Sequence, residues 1–160
     1  MRRNQRGFSL IELLIVVAII LIIAAIAIPN LLRSRIAANQ ASAIGSCRVL
    51  NTAEVSYAST YGVGYTSTLL QLGPPPGPVA TPSAAGLIDS VLAGSVKSGY
   101  SFAYTPALPD ASGRYQGYSL NANPTQVGVT GTAYYFTDQT YVIRGDATAT
   151  ASAASSPVAN

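Results

Sequence analysis

Glu12 is the residue whose type and position most demand a chemical explanation. It lies in "FSLIELLIVVAIILIIAAIAIP", residues 8–29, and every side chain from Leu13 to Ile28 is apolar. An isolated carboxylate in a membrane-spanning helix costs on the order of 2.5–3.5 kcal/mol at mid-helix and less near an end, so such groups are normally partnered. No lysine or arginine follows within helical reach. A cation arises if the chain is cut between Gly7 and Phe8. Phe8 then carries a free α-amine, with an ordinary pKa of about 7.7–8.0, one helical turn from Glu12. Amine and carboxylate can neutralise each other within one helix or between axially staggered neighbours, and separating them strands a charge in low dielectric.

Other chemistry is poorly supplied. The chain has no His, one Cys and six dispersed acids. That removes the usual general base and any Ser–His–Asp or Cys–His arrangement. No close acid pair suggests glycosidase chemistry, and Gly62-Val63-Gly64 lacks the third glycine of a dinucleotide loop. With one Cys no internal disulfide can form, and zinc or copper sites lose most of their usual ligands. A hard cation held by oxygen stays open. Cys47 reads as a small buried hydrophobe, and the ten tyrosines as half-buried packing with a polar tip.

The elements that must position Glu12 begin with the charge pattern. Arg2, Arg3 and Arg6 precede the apolar run, while the six basic residues beyond them are balanced by six acidic ones. The basic excess is therefore a topological signal for a cytoplasmic N-terminus, and no polybasic nucleic-acid surface remains. Residues 8–28 form a stretch that as a helix spans roughly 30 Å, the thickness of a bilayer core. A secretory signal peptide has a shorter apolar region, about 7–15 residues, and a plain single-pass anchor gives Glu12 no role.

Gly7 before the cut, Phe8 after it, Glu12 and Pro29 together make this N-terminal segment resemble the class III signal of type IV pilins and their relatives. The resemblance implies cleavage after Gly7 by a prepilin peptidase, N-methylation of Phe8, and a Glu12 that guides docking against a neighbour's N-terminal amine. It implies a homo-oligomeric helical filament, built by an inner-membrane assembly platform and assembly ATPase from subunits stored in the membrane. Two filaments fit: an extracellular type IV pilus for adhesion, motility or DNA uptake, or the periplasmic pseudopilus of type II secretion. A membrane-anchored binding module that never polymerises is the alternative outside the family. The expected role is structural, not enzymatic.

The expected fold is α+β and pilin-like: a long N-terminal helix packed on a small antiparallel sheet of about four strands. Residues 1–7 are the leader and 8–29 the transmembrane, filament-core helix. Pro29 is expected to break the helix, since it lacks an N–H and crowds the Ala25 carbonyl. Residues 30–61 continue as an amphipathic helix: Ile36, Ala43, Cys47, Leu50, Tyr57 and Tyr61 recur at threes and fours, with Arg33, Arg35, Arg48 and Glu54 between them. Gly45 within it costs about 1 kcal/mol relative to Ala, a cost that close packing or a bend would explain.

Residues 62–99 hold a Pro/Gly loop, "GPPPGPVATPSAAG", and a short helix. Residues 100–145 form the sheet. Tyr100, Phe102 and Tyr104 alternate with Ser101, Ala103 and Thr105, "PDASG" turns the chain, and "TAYYFT" and "TYVIRG" flank a second hairpin. The Ala/Ser/Thr-rich residues 146–160 lack apolar bulk and are expected to be a flexible tail. Major pseudopilins often hold Ca²⁺ in their C-terminal loops, and Asp138 and Asp146 are the carboxylates available for that here. Calcium takes six to eight oxygens, so two acids are thin support, and a turn role suits Asp138 better.

Overall fold

A computed structural model describes residues 8–158. Helix α1 runs over Leu10–Tyr61. Two compact units share it, the first ending at Arg35 and the second beginning at Ile36. In the first unit every large apolar side chain within residues 8–32 is exposed, and this part of α1 is long and apolar enough to cross a membrane.

The helix continues through Pro29, contrary to the expected break. Proline removes one i→i−4 bond, at the Ala25 carbonyl, while the neighbouring turns of a long apolar helix retain theirs.

In the second unit α1 is one-sided. Ala43, Cys47, Leu50 and Tyr57 are buried, as the spacing predicts, while Arg48, Val49, Thr52 and Val55 are exposed. After α1 the chain forms a 3₁₀ turn, Leu69–Leu72, and the single helical turn α2, Ser90–Ala93. Asp89 caps α2, its carboxylate accepting from Leu92 N–H at 2.8 Å and pairing with Lys97 at 2.8 Å.

Six antiparallel strands follow in chain order: β1 Val96–Lys97, β2 Tyr100–Pro109, β3 Tyr115–Pro124, β4 Tyr134–Asp138, β5 Arg144–Asp146 and β6 Ser156–Pro157. The α+β class holds, but the sheet has six strands where four are expected. β2 and β3 pair along nearly their whole length, from Tyr100↔Pro124 to Pro109↔Tyr115. Their turn is built by Asp110, whose Oδ1 accepts from the amides of Ser112 and Arg114 at 2.8 and 3.0 Å. The core joins Ala43, Cys47 and Leu50 of α1 to Phe102, Leu120, Ala122 and Tyr135 of the sheet, with Leu72 and Leu92 closing one side.

Of the strands beyond those expected, β1 comes from the residues expected to be loop and short helix, and β6 from the segment expected to be a mobile tail. Asp146 accepts from the amides of Thr148 and Ala149, turning the chain back, and Ala151 is buried with its carbonyl held by Asn121 at 2.7 Å. Arg144 donates to the Ser155 carbonyl at 3.1 Å, and residues 156–157 pair with β5. Turn-local and long-range hydrogen bonds thus order a segment that apolar content could not.

Candidate assembly site

Glu12 stands in the first turn of α1, and its Oε2 accepts from the backbone N–H of Ser9 at 2.9 Å. Ser9-Leu10-Ile11-Glu12 therefore forms the glutamate half of a capping box, satisfying one of the amides that a helix start leaves without a partner. The carboxylate also lies at the positive end of the helix dipole. One oxygen is engaged within its own chain, and the other has no protein partner among the described residues. Phe8, at the same end of the helix, is 74% exposed. Gly7 and the leader lie outside the described residues.

The surroundings of Glu12 are wholly apolar. Leu10, Leu13, Leu14 and Val17 line a shallow groove on one side of the helix. Such a surface is stable only against lipid or against other apolar chains. The geometry thus supplies an apolar rod with one carboxylate and, after a cut before Phe8, one amine.

The two calcium candidates are not brought together. Asp138 ends β4 and pairs across with Ser119, while Asp146 ends β5 opposite Tyr134. Four residues of strand separate the two positions, about 13 Å at 3.3 Å per residue. Each carboxylate is already occupied by a turn: Asp138 accepts from Thr140 N–H at 2.8 Å, and Asp146 from Thr148 N–H at 2.8 Å. Among the described residues no three His, Cys, Asp or Glu side chains cluster. Asp138 and Asp146 do not form one cation site.

Cys47 is fully buried and burial pushes its thiol up to about 12, so it is not a nucleophile. A Cβ at Gly45 would meet nothing of this chain within 4 Å, so close packing within the subunit does not account for that glycine.

Two features escape the spacing argument. Glu54, expected on the polar side of α1, is fully buried. It occupies the step that the series Ala43, Cys47, Leu50, Tyr57, Tyr61 leaves vacant, and its spacing alone places it on the core face. Asn51, also buried, accepts from the Tyr118 hydroxyl at 2.8 Å and donates to Thr137 Oγ1 at 2.9 Å, tying α1 to β3 and β4.

Residues 2–28 match the prokaryotic N-terminal methylation motif. The type IV major pilin protein PilA of Myxococcus xanthus is 52% identical over 56 residues, 35% of this chain and 26% of that protein. The type IV wide pilus major component PilA4 of Thermus thermophilus is 68% identical over 37 residues, 23% of this chain and 28% of that protein. The chain thus spans about a quarter of the length of these curated relatives. No solved structure matches the chain. The exposed apolar helix with its single carboxylate thus coincides with a recognised signal: the chain carries the prokaryotic N-terminal methylation motif in an N-terminal segment similar to those of type IV major pilins.

Proposed function

We propose that this protein is the repeating structural subunit of an extracellular type IV pilus. The observation that carries the reading is the match of the methylation motif to residues 2–28, on a helix that is apolar on every side and broken by Glu12 alone. A prepilin peptidase cuts after Gly7, and Phe8 is N-methylated. Before assembly, residues 8–29 lie in the inner membrane with the arginines of the leader in the cytoplasm. During assembly the platform and its ATPase lift the subunit out. The apolar surface then exchanges lipid for neighbouring helices, so little hydrophobic free energy is lost.

In this account Glu12 selects the register. Its uncommitted oxygen meets the amine of a neighbouring subunit's Phe8, and the pairing favours the one axial offset that brings the two to equal depth. Pro29 marks a place where α1 has one backbone hydrogen bond fewer and can loosen in the filament. The role is structural, and no catalytic step is assigned to any side chain.

The test is to shear filaments from cells and determine the subunit's N-terminus by mass spectrometry. Long extracellular fibres whose subunit begins at N-methylated Phe8 are expected. An intact Met1, or a start near Ile28, would overturn the reading, and fibres confined to the periplasm would assign the subunit to a pseudopilus instead.

A further inference from the structure

Glu54 is fully buried, and none of the ion pairs among the described residues includes it. Its partners come from the loop that follows α1. The Thr66 amide donates to Oε2 at 3.1 Å, and Thr66 Oγ1 lies 2.5 Å from Oε1. The same Oγ1 lies 3.2 Å from the Tyr104 hydroxyl, which donates to the Thr66 carbonyl at 2.9 Å.

The protons in this group can be counted. Thr66 has one hydroxyl proton for two neighbours. If Glu54 is a carboxylate, that proton goes to Oε1 and the Tyr104 oxygen receives none. If Glu54 is a carboxylic acid, Oε1–H donates to Thr66 Oγ1, Thr66 donates to Tyr104, and Tyr104 donates to the Thr66 carbonyl. Either form gives every one of these atoms a partner, and the short Oγ1–Oε1 separation suits either proton position; the full burial of Glu54 with no cation beside it among the described residues favours the acid.

The surroundings agree. Glu54 faces Tyr57 one turn along α1, Tyr65 in the loop, Tyr104 on β2 and Tyr118 on β3, and burial raises the hydroxyl of each. These are neutral phenols, and none can balance a buried anion.

We propose that Glu54 is a neutral carboxylic acid in the folded domain and serves as a proton-held latch between α1 and residues 62–68, so that losing the proton releases the loop. Gly62 and Gly64, at φ +65° and +81°, lie between the end of α1 and Thr66. This inference is independent of filament formation.

The direction with pH follows from linkage. An exposed glutamate titrates near 4.5, and burial pushes Glu54 above that, outweighing the lowering by hydrogen bonds from Thr66 and Tyr104. Below the exposed value both closed and open states hold the proton, and the latch is at full strength. As pH rises toward the folded value, opening releases a proton, so the latch weakens and is lost beyond it.

The experiment is hydrogen exchange by mass spectrometry on the full chain in detergent micelles, from about pH 5 to 9, comparing the native protein with Glu54→Gln. A glutamine keeps both roles of the acid, donating to Thr66 Oγ1 and accepting from the Thr66 amide, but cannot ionise. Relative to Glu54→Gln, native residues 62–68 should lose protection by about tenfold per pH unit in the window where opening releases the proton. Difference infrared spectroscopy near pH 5, just above the value of an exposed glutamate, should show a protonated carboxyl that Glu54→Gln lacks. Parallel pH dependence in the two proteins, absence of that carboxyl band, or failure of Glu54→Gln to fold would each overturn the proposal.

Discussion

Replacing Asn51 by alanine tests what fastens the helix to the sheet. Asn51 is 7% exposed, and the hydroxyls it serves, on Tyr118 and Thr137, are 1% and 0% exposed. Its Oδ1 accepts from Tyr118 at 2.8 Å and from Thr137 Oγ1 at 3.3 Å, and its Nδ2 donates to Thr137 at 2.9 Å and to the Tyr141 carbonyl at 3.3 Å. Asn51→Ala orphans two buried hydroxyls. At about 1–3 kcal/mol for each buried polar group left unpaired, the cost is about 2–6 kcal/mol. Set against a total stability of about 5–15 kcal/mol for a domain, that removes a substantial share of the margin. Tyr118→Phe, by contrast, removes a donor while Asn51 Oδ1 keeps Thr137, so it should cost only about 0.5–1.5 kcal/mol. In the double variant the alanine orphans one hydroxyl fewer. The two changes should therefore be non-additive by about 1–3 kcal/mol, the double variant being less damaged than the sum. Urea denaturation of the full chain in micelles, followed by tyrosine fluorescence or near-ultraviolet circular dichroism, gives all three values. Additivity within about 0.5 kcal/mol, or a cost below about 1 kcal/mol for Asn51→Ala, would show that this network does not join α1 to β3 and β4.

Two further perturbations separate roles that the structure superposes. Glu12→Gln retains an acceptor for the Ser9 amide but loses the charge, whereas Glu12→Ala loses both. Removing one partner of a water-excluded ion pair weakens association by orders of magnitude, so neither variant should enter filaments seen by electron microscopy, although both should still be processed and inserted. Normal fibres from Glu12→Gln would reduce the residue to a helix cap. Gly45→Ala, with nothing near the added Cβ, should stabilise the isolated subunit by about 0.5–1 kcal/mol in thermal denaturation. Gly64→Ala should cost more than about 1–2 kcal/mol, because φ is +81° and the new carbon would strike the Tyr115 carbonyl; equal melting temperatures would contradict both assignments.

Much of the second unit was legible because bulk and period agreed there. Tyr100 and Phe102 face the core as their alternation requires, and Asp110 turns β2 into β3 as a proline-aspartate-glycine run suggests. β6 and the chain leading into it were missed for a physical reason. They carry little apolar surface, and β6 is two residues long, so no periodicity can announce them. What orders them is long-range or turn-specific: Asn121 reaching the Ala151 carbonyl, Arg144 reaching Ser155, and Asp146 closing its own turn. Contacts of this kind depend on which strands have already become neighbours, and composition carries no trace of that.

The two glutamates of α1 show the opposite failure, in which the signal was present and charge obscured it. The apolar surroundings of Glu12 demand a partner, and the α-amine of Phe8, in the same helix or in a staggered neighbour, supplies one. The Ser9-x-x-Glu12 spacing also prescribes a partner in the same chain, and the 2.9 Å bond to the Ser9 amide is that partner. The two explanations are compatible because a carboxylate has two oxygens: the cap fixes the side chain's direction, and an oriented carboxylate loses less entropy when a neighbour's amine arrives. Glu54 was assigned to the polar face because it is an acid, although the four-three-four spacing from Ala43 to Tyr61 places it inward. Periodicity reports where the backbone points a side chain, and charge reports only what that position costs. In both places the geometry prevailed, at Glu12 through a backbone amide and at Glu54 through Thr66, so the acids of this helix are placed by its period and made tolerable by their partners.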